Sequence, residues 1–256
     1  MTLIKNRLPI LEYDSSSLEV IKPNHENLDI KLPKKAAFLF LGDTVDSYAL
    51  TSNAKKIAEF ISITKVFPIY EIDYKNEKIC IVAAPAGASA SVQLLDWLIG
   101  YGVETVIAIG SCGALVDIPE NTFIIPIRAL RDEGTSYHYL PAERYVTIDE
   151  NVVKSIENTF SSKNIPYIEC MTWTTDGFFR ETMELVEYRR EEGCAVVEME
   201  CSALAACAKF RNIRFGEVFY TADTLANTEL YDERDWGKKS LNKALMLCLD
   251  IIIDIK

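Results

Sequence analysis

Short, almost continuously apolar runs recur along this chain: AAFLFL (36–41), KICIVAA (78–84), ETVIAIG (104–110), TFIIPI (122–127) and RFGEVFYTA (214–222). A strand with one face in water alternates apolar and polar residues, whereas an unbroken apolar run belongs to a strand covered on both faces. KVFPIYEI (65–72), IPYIECM (165–171) and CAVVE (194–198) read as further strands. Helical segments alternate with these runs. TSNAKKIAEFI (51–61) takes Thr51 or Ser52 as N-cap, and SASVQLLDWLIGYG (89–102) ends on glycine. DENVVKSIENTF (149–160), RETMELVEYRREEG (180–193), MECSALAACAKF (199–210) and SLNKALMLCLDIII (240–253) follow. This alternation predicts an α/β fold. It is a single domain over residues 36–256, with a mixed, mostly parallel twisted sheet flanked by helices. Residues 1–35, polar and carrying Pro23 and Pro33, read as an N-terminal arm.

Composition narrows the function. A net charge of −11 argues against nucleic acid as a partner, although a local site can still take a small anion. No apolar run reaches the roughly 18 residues of a membrane span, and the N-terminus lacks the pattern of a signal peptide. The seven Cys are scattered, odd in number and without a CxxC pair, as expected of reduced thiols in the cytoplasm. His25 and His138 are the two histidines, and there is no H-x-x-x-H or Cys/His cluster, which argues against a zinc site. No metal or cofactor is expected.

In a parallel sheet, ligands bind beyond the carboxyl ends of the strands. Special residues collect at those ends: Gly42-Asp43, Pro85-Ala86-Gly87, Gly110-Ser111-Cys112-Gly113, Thr175-Asp176-Gly177, Glu198-Met199-Glu200 and Ala222-Asp223-Thr224. GSCG offers small residues and free N–H groups that can cradle an anion, or it is a plain tight turn. Asp223 alone reads as an Asx-turn carboxylate; in a half-buried cleft it would serve as a general acid. A helix N-terminus explains one glutamate of VVEMEC, not two. Two carboxylate acceptors suit a vicinal diol and could stabilise an oxocarbenium ion. Phe178, beside Phe179, could stack on a planar ring.

Taken together, VVEMECSAL, IAIGSCGAL and TADT resemble the V-E-M-E-A-x-A, R-x-G-S-C-G-A and S-D segments of the nucleoside phosphorylase and nucleosidase superfamily. The resemblance, of the purine nucleoside phosphorylase and uridine phosphorylase type, runs from about His25 to the C-terminus. It implies a nucleoside phosphorylase-like fold and cleavage of the N-glycosidic bond of a nucleoside, purine preferred. It also implies a homo-oligomer, a dimer or a trimer of dimers. Under it, Glu200 holds the ribose hydroxyls with Met199 beneath the sugar and Glu198 in support. Asp223 protonates the base at N7, and Phe178 stacks near it. Ser111 touches phosphate or the nucleophile, and Cys112 and Gly113 line the base. Gly42 and Gly87 stand at strand ends facing the substrate. His25 reaches a neighbouring subunit's site, and Arg234 assists Asp223.

The phosphate site departs from this pattern. Where the hexameric phosphorylases carry G-D-P-x-R, this chain has Gly42-Asp43-Thr44-Val45-Asp46, and the arginine before G-S-C-G is Ala108. A third arginine, near Phe67-Pro68, is also replaced. Phosphate needs charge-assisted donors, and Arg128, Arg131 and Arg180 are the arginines left to supply them. Asp46 would repel phosphate by roughly 4 kcal/mol at about 4 Å for an effective dielectric near 20. The first expectation is phosphorolysis to free base and ribose 1-phosphate, with phosphate as co-substrate. The alternatives are hydrolysis, with Asp43 or Asp46 activating water, and a nucleoside-binding protein without catalysis.

Overall fold

The computed structural model of this chain describes residue 3, residues 5–16 and residues 18–255. The expected arm includes residues 1, 2, 4 and 17, and the expected domain ends on residue 256, all outside the described residues. At the centre lies β1 (Lys35–Leu39), whose Ala36, Ala37, Phe38 and Leu39 have no solvent exposure. It pairs in parallel with β4 (Glu77–Ala83) on one side and β5 (Thr105–Ala114) on the other. Each fully buried Val, Leu, Ile or Phe in these strands contributes about 1.5–3 kcal/mol. The apolar runs are therefore the sheet's main source of cohesion.

Among the described residues the sheet has ten strands. Beyond β4, β3 (Val66–Tyr74) and β2 (Lys55–Ile61) add antiparallel strands to one edge. On the other side β5 pairs twice. Its lower part runs parallel to β10 (Arg214–Thr224), while Gly113 and Ala114 pair antiparallel with β9 (Cys194–Glu198). From β9 the order continues to β8 (Tyr167–Thr175) and β6 (Phe123–Asp132), which returns to β10; the short β7 (Tyr145–Thr147) hangs on β6. The far half of the sheet thus closes into a ring, because β5 has partners on both of its flanks.

Helices cover both faces. α2 (Ala88–Gly100) and α5 (Cys201–Arg211) pack together, while α3 (Glu150–Ser162) and α6 (Leu241–Asp254) pack together against β5, β6, β10 and β1. α4 (Met183–Glu191) lies against β9, and α1 (Thr44–Thr51) touches β4 and α6. Residues of the arm tie to the ends of α2 and α5: Trp97 donates to Glu26, and Arg211 to Glu19. Among the described residues no helix is long and apolar enough to cross a membrane.

Two expectations need correction. The segment 51–61 is not a helix. The helix ends at Thr51, Asn53 turns the chain with φ +54, and Lys55–Ile61 pairs with β3 as a strand. GSCG is not a turn either: it continues β5 to Ala114, drawn straight by β10 and β9.

Gly216 shows how tightly β10 is set. A Cβ there would stand 2.6 Å from Val152 Cγ1 and 2.8 Å from Ile156 Cδ1. Gly216→Ala is expected to destabilise the protein by about 1–3 kcal/mol through overpacking, read as a lower midpoint in urea denaturation. An unchanged midpoint would show that α3 yields freely.

Candidate active site

The carboxyl ends of the strands enclose a cavity of about 400 Å³. Phe40 and Gly42 follow β1, Ala84 and Ala86 follow β4, and Gly110 to Gly113 lie in β5. Glu198, Met199 and Glu200 stand between β9 and α5, and Glu217, Phe219 and Asp223 come from β10. A second compartment of about 550 Å³ adjoins it. Its lining is mainly apolar and aromatic: Phe178, Phe179, Met183, Val186, Leu225, Tyr231 and Trp236. Phe178, Glu181, Asp223 and Trp236 line both spaces and so mark their junction.

The two glutamates of VVEMEC do different work. Glu198 is engaged on both oxygens. Oε2 accepts the backbone N–H of Glu200 and of Cys201, each at 2.7 Å, and Oε1 accepts Thr174 Oγ1 at 2.6 Å and Thr172 Oγ1 at 3.1 Å. It closes the end of β9 and caps the first turn of α5. Burial pushes its pKa up, against these donors, which hold it down. Glu200 accepts the N–H of Gly87 and stands at the wall of the cavity. Gly87 has φ +93, a conformation that turns its N–H toward the carboxylate and that side chains rarely adopt. Burial, then the charge of Glu198, raises the Glu200 pKa to about 8.

Asp223 sits at the junction, 6 % exposed. Burial raises its pKa, while a hydrogen bond from Tyr231 and the charge of Arg234 oppose the rise. Gly113 makes room for it, since a Cβ there would stand 3.2 Å from Asp223 Oδ1. Arg234 itself donates to the carbonyls of Ile118 and Ala222, which fixes it behind the acid. Ser111 is exposed to the cavity, whereas Cys112 is buried with its thiol on the Tyr220 carbonyl.

Several expected residues lie elsewhere. His25, whose expected role is in a neighbouring subunit's site, is exposed and lies away from this chain's own cavity, near the far end of α2, where Pro23 and Asn24 meet Gly100. Asp43 and Asp46 are exposed and outside the lining, and Asp46 accepts the Tyr70 hydroxyl at 3.1 Å. Arg131 is locked into its own loop by Ser136, Leu140 and Pro141. Arg128 stacks on Tyr145, and Arg180 is exposed. None of these arginines lines either compartment. Sequence reasoning missed Glu181, Tyr231, Trp236 and Glu217. The only signal for Glu217 was a carboxylate inside an apolar strand; Trp236 and Tyr231 stood in a polar stretch with no pattern.

The phosphorylase superfamily model matches residues 38–253. The chain belongs to the phosphorylase superfamily. It is 24 % identical over 197 residues to a DeoD-type purine nucleoside phosphorylase of Dichelobacter nodosus, covering 75 % of this chain and 82 % of the relative. Its fold is similar to that of the AMP nucleosidase of Bacteroides thetaiotaomicron, with a TM-score of 0.70, 20 % identity and coverage of 87 % and 88 %. It is also similar to the purine nucleoside phosphorylase of Toxoplasma gondii in complex with immucillin-H, with a TM-score of 0.73, 15 % identity and coverage of 88 % and 91 %.

The raised pKa of Glu200 fixes the sign of a stability effect. Between about 4.5 and about 8 the folded chain holds a proton on Glu200 that the unfolded chain has released. Its contribution is complete below the lower value and is lost as pH rises through the upper one. Melting temperature should therefore fall from about pH 5 to about pH 8, and fall less in Glu200→Gln. Parallel curves for the two proteins would remove this assignment.

Proposed function

We propose that this chain cleaves the N-glycosidic bond of a purine nucleoside with water as the nucleophile. The observation that carries the reading is the lining of the inner compartment. Among the described residues it holds Glu181, Glu198, Glu200, Glu217 and Asp223, and no lysine, arginine or histidine. A lining without a cation offers a phosphate dianion no charge-assisted donor, and its carboxyl oxygens face the positive charge that grows on the sugar as the bond breaks.

The roles follow from position. Glu200 takes the sugar hydroxyls, with Met199 against the ring. The base enters the aromatic compartment between Phe178 and Trp236. Asp223, on which burial favours the proton, donates to N7 as the C1′–N bond breaks and its electron pair passes to the base. Water adds to C1′ and gives up a proton, which by way of solvent restores the acid on Asp223, and the products are free base and free sugar. Glu181 has its pKa raised to about 7 by burial and by the charge of Asp223. It faces the base as an acceptor and favours rings that present an N–H donor.

Phosphorolysis is the second reading. The exposed Ser111 hydroxyl and the likeness to the Dichelobacter phosphorylase favour it, and it requires cations from a second subunit. One assay separates the readings: purine and pyrimidine nucleosides with and without phosphate, with base and sugar products measured. Free sugar formed without phosphate is the expected result. Sugar 1-phosphate formed only with phosphate establishes the second reading, and binding without turnover would mark a nucleoside-binding protein. Glu200→Gln and Asp223→Asn should each lower kcat by about 100-fold or more while the protein stays folded. Near-normal turnover in both would sink the assignment of these two carboxyls.

A further inference from the structure

The second compartment is larger than a purine needs. A cavity of about 150 Å³ holds benzene, so on that scale the two fused rings of a purine take roughly 250 Å³. The compartment measures about 550 Å³. About half of it is therefore left beyond the base. Its chemistry changes from one part to the other. At the junction with the sugar cavity stand two carboxyls, Glu181 and Asp223, near enough that the charge of Asp223 acts on Glu181. Apart from Asn227 and Thr228, the remaining wall is apolar or aromatic. Met183 and Val186 are three residues apart, on one face of α4, and Leu225 follows β10. Val186 belongs to the small core cluster of Leu130, Met171 and Trp173, and Leu225 packs against that cluster, so this wall is anchored in the folded interior. Phe178, Met183, Tyr231 and Trp236 are all at least 40 % exposed beside it. Exposed apolar side chains gathered at the mouth of a cavity mark a binding groove.

We propose that the preferred base is a 6-aminopurine whose amine carries one apolar group, aryl or branched alkyl, and that Met183, Val186 and Leu225 receive this group. The inference rests on the reading of this compartment as the base site, and it holds whether water or phosphate attacks. A 6-aminopurine presents N7 as an acceptor next to its exocyclic amine as a donor. Asp223 at N7 sets Glu181 beside the amine, where it accepts one N–H. The second hydrogen of the amine is not needed for this pairing and can be replaced. A group attached there passes the two carboxyls and covers the apolar wall, which an unsubstituted base leaves in water. One methylene in an apolar pocket is worth roughly tenfold or more in discrimination.

The test compares base release from adenosine, N6-methyladenosine and N6-benzyladenosine, each with and without phosphate. In the native protein kcat/KM should rise along this series, and N6-benzyladenosine should exceed adenosine by at least tenfold. Met183→Trp fills the apolar end of the compartment from a half-exposed position. It should cut the ratio of N6-benzyladenosine to adenosine at least fivefold. Melting curves check that the variant is folded, and the native series alone decides if it is not. Adenosine cleaved with a ratio below tenfold overturns the inference and leaves the base-site reading standing. A tenfold preference that folded Met183→Trp leaves unmoved places the group elsewhere and also overturns it. Release from none of the three, with or without phosphate, overturns the base-site reading and this inference with it.

Discussion

The site depends on one buried carboxylate that does not itself face the reaction. Glu198 receives four hydrogen bonds, from Thr172, Thr174 and the backbone of Glu200 and Cys201. The two threonines lie two residues apart on β8, on one face of that strand, and Thr174 stands opposite Glu198 in the ladder. Thr174 Oγ1 also accepts the N–H of Ser202. One carboxylate thus ends β9, starts α5 and ties both to β8. Removing it would leave buried donors without an acceptor, at about 1–3 kcal/mol each. Its full engagement is also what leaves Glu200 available. Were Glu200 the cap of α5, it would be turned back on its own helix; instead its carboxylate meets Gly87 and the cavity.

The carboxylates around this anchor share one environment, and their charges oppose one another. Burial raises the pKa of Glu181, Glu198, Glu200, Glu217 and Asp223 alike. Burial and like charges both favour the protonated carboxyls in this water-poor cleft. That is useful where a leaving base must be protonated and the sugar passes through a cationic state. It is a poor arrangement for holding a free dianion.

The central strands and their helices were legible because burial on both faces leaves an unbroken apolar run. What escaped was set by partners distant in sequence. KKIAEFI fits a helical spacing and a strand spacing equally well, and only its ladder with β3 decides between them. GSCG has the composition of a turn, yet strands on both flanks hold it extended. That Glu198, Met199 and Glu200 meet at a cavity was legible because they are contiguous at a strand end. Tyr231 and Trp236 reach the site because the loop after β10 folds back through a bridge between Thr224 and Asp232. Glu217 was plain in the sequence; that it reaches the cavity depends on how β10 sits in the sheet, which no local pattern encodes.

β10 then explains why one part of the site keeps the family pattern while another departs from it. One face of the strand carries Glu217, Phe219 and Asp223 into the cavity, and the other presses Gly216 against α3. From Glu217 to Asp223 the backbone climbs roughly 20 Å, from the floor to the junction with the base compartment. The nucleophile, the sugar and the base would lie along this strand in the order in which the bond is made and broken. On the proposed reading Glu200 and Asp223 would act at the upper two stations, where sugar and base are common to hydrolysis and phosphorolysis. The lowest station, where the two reactions would differ, carries Glu217 and, among the described residues, no cation. Because the stations are separated along a rigid strand, substitutions at the floor can change what attacks without disturbing what is held or what leaves.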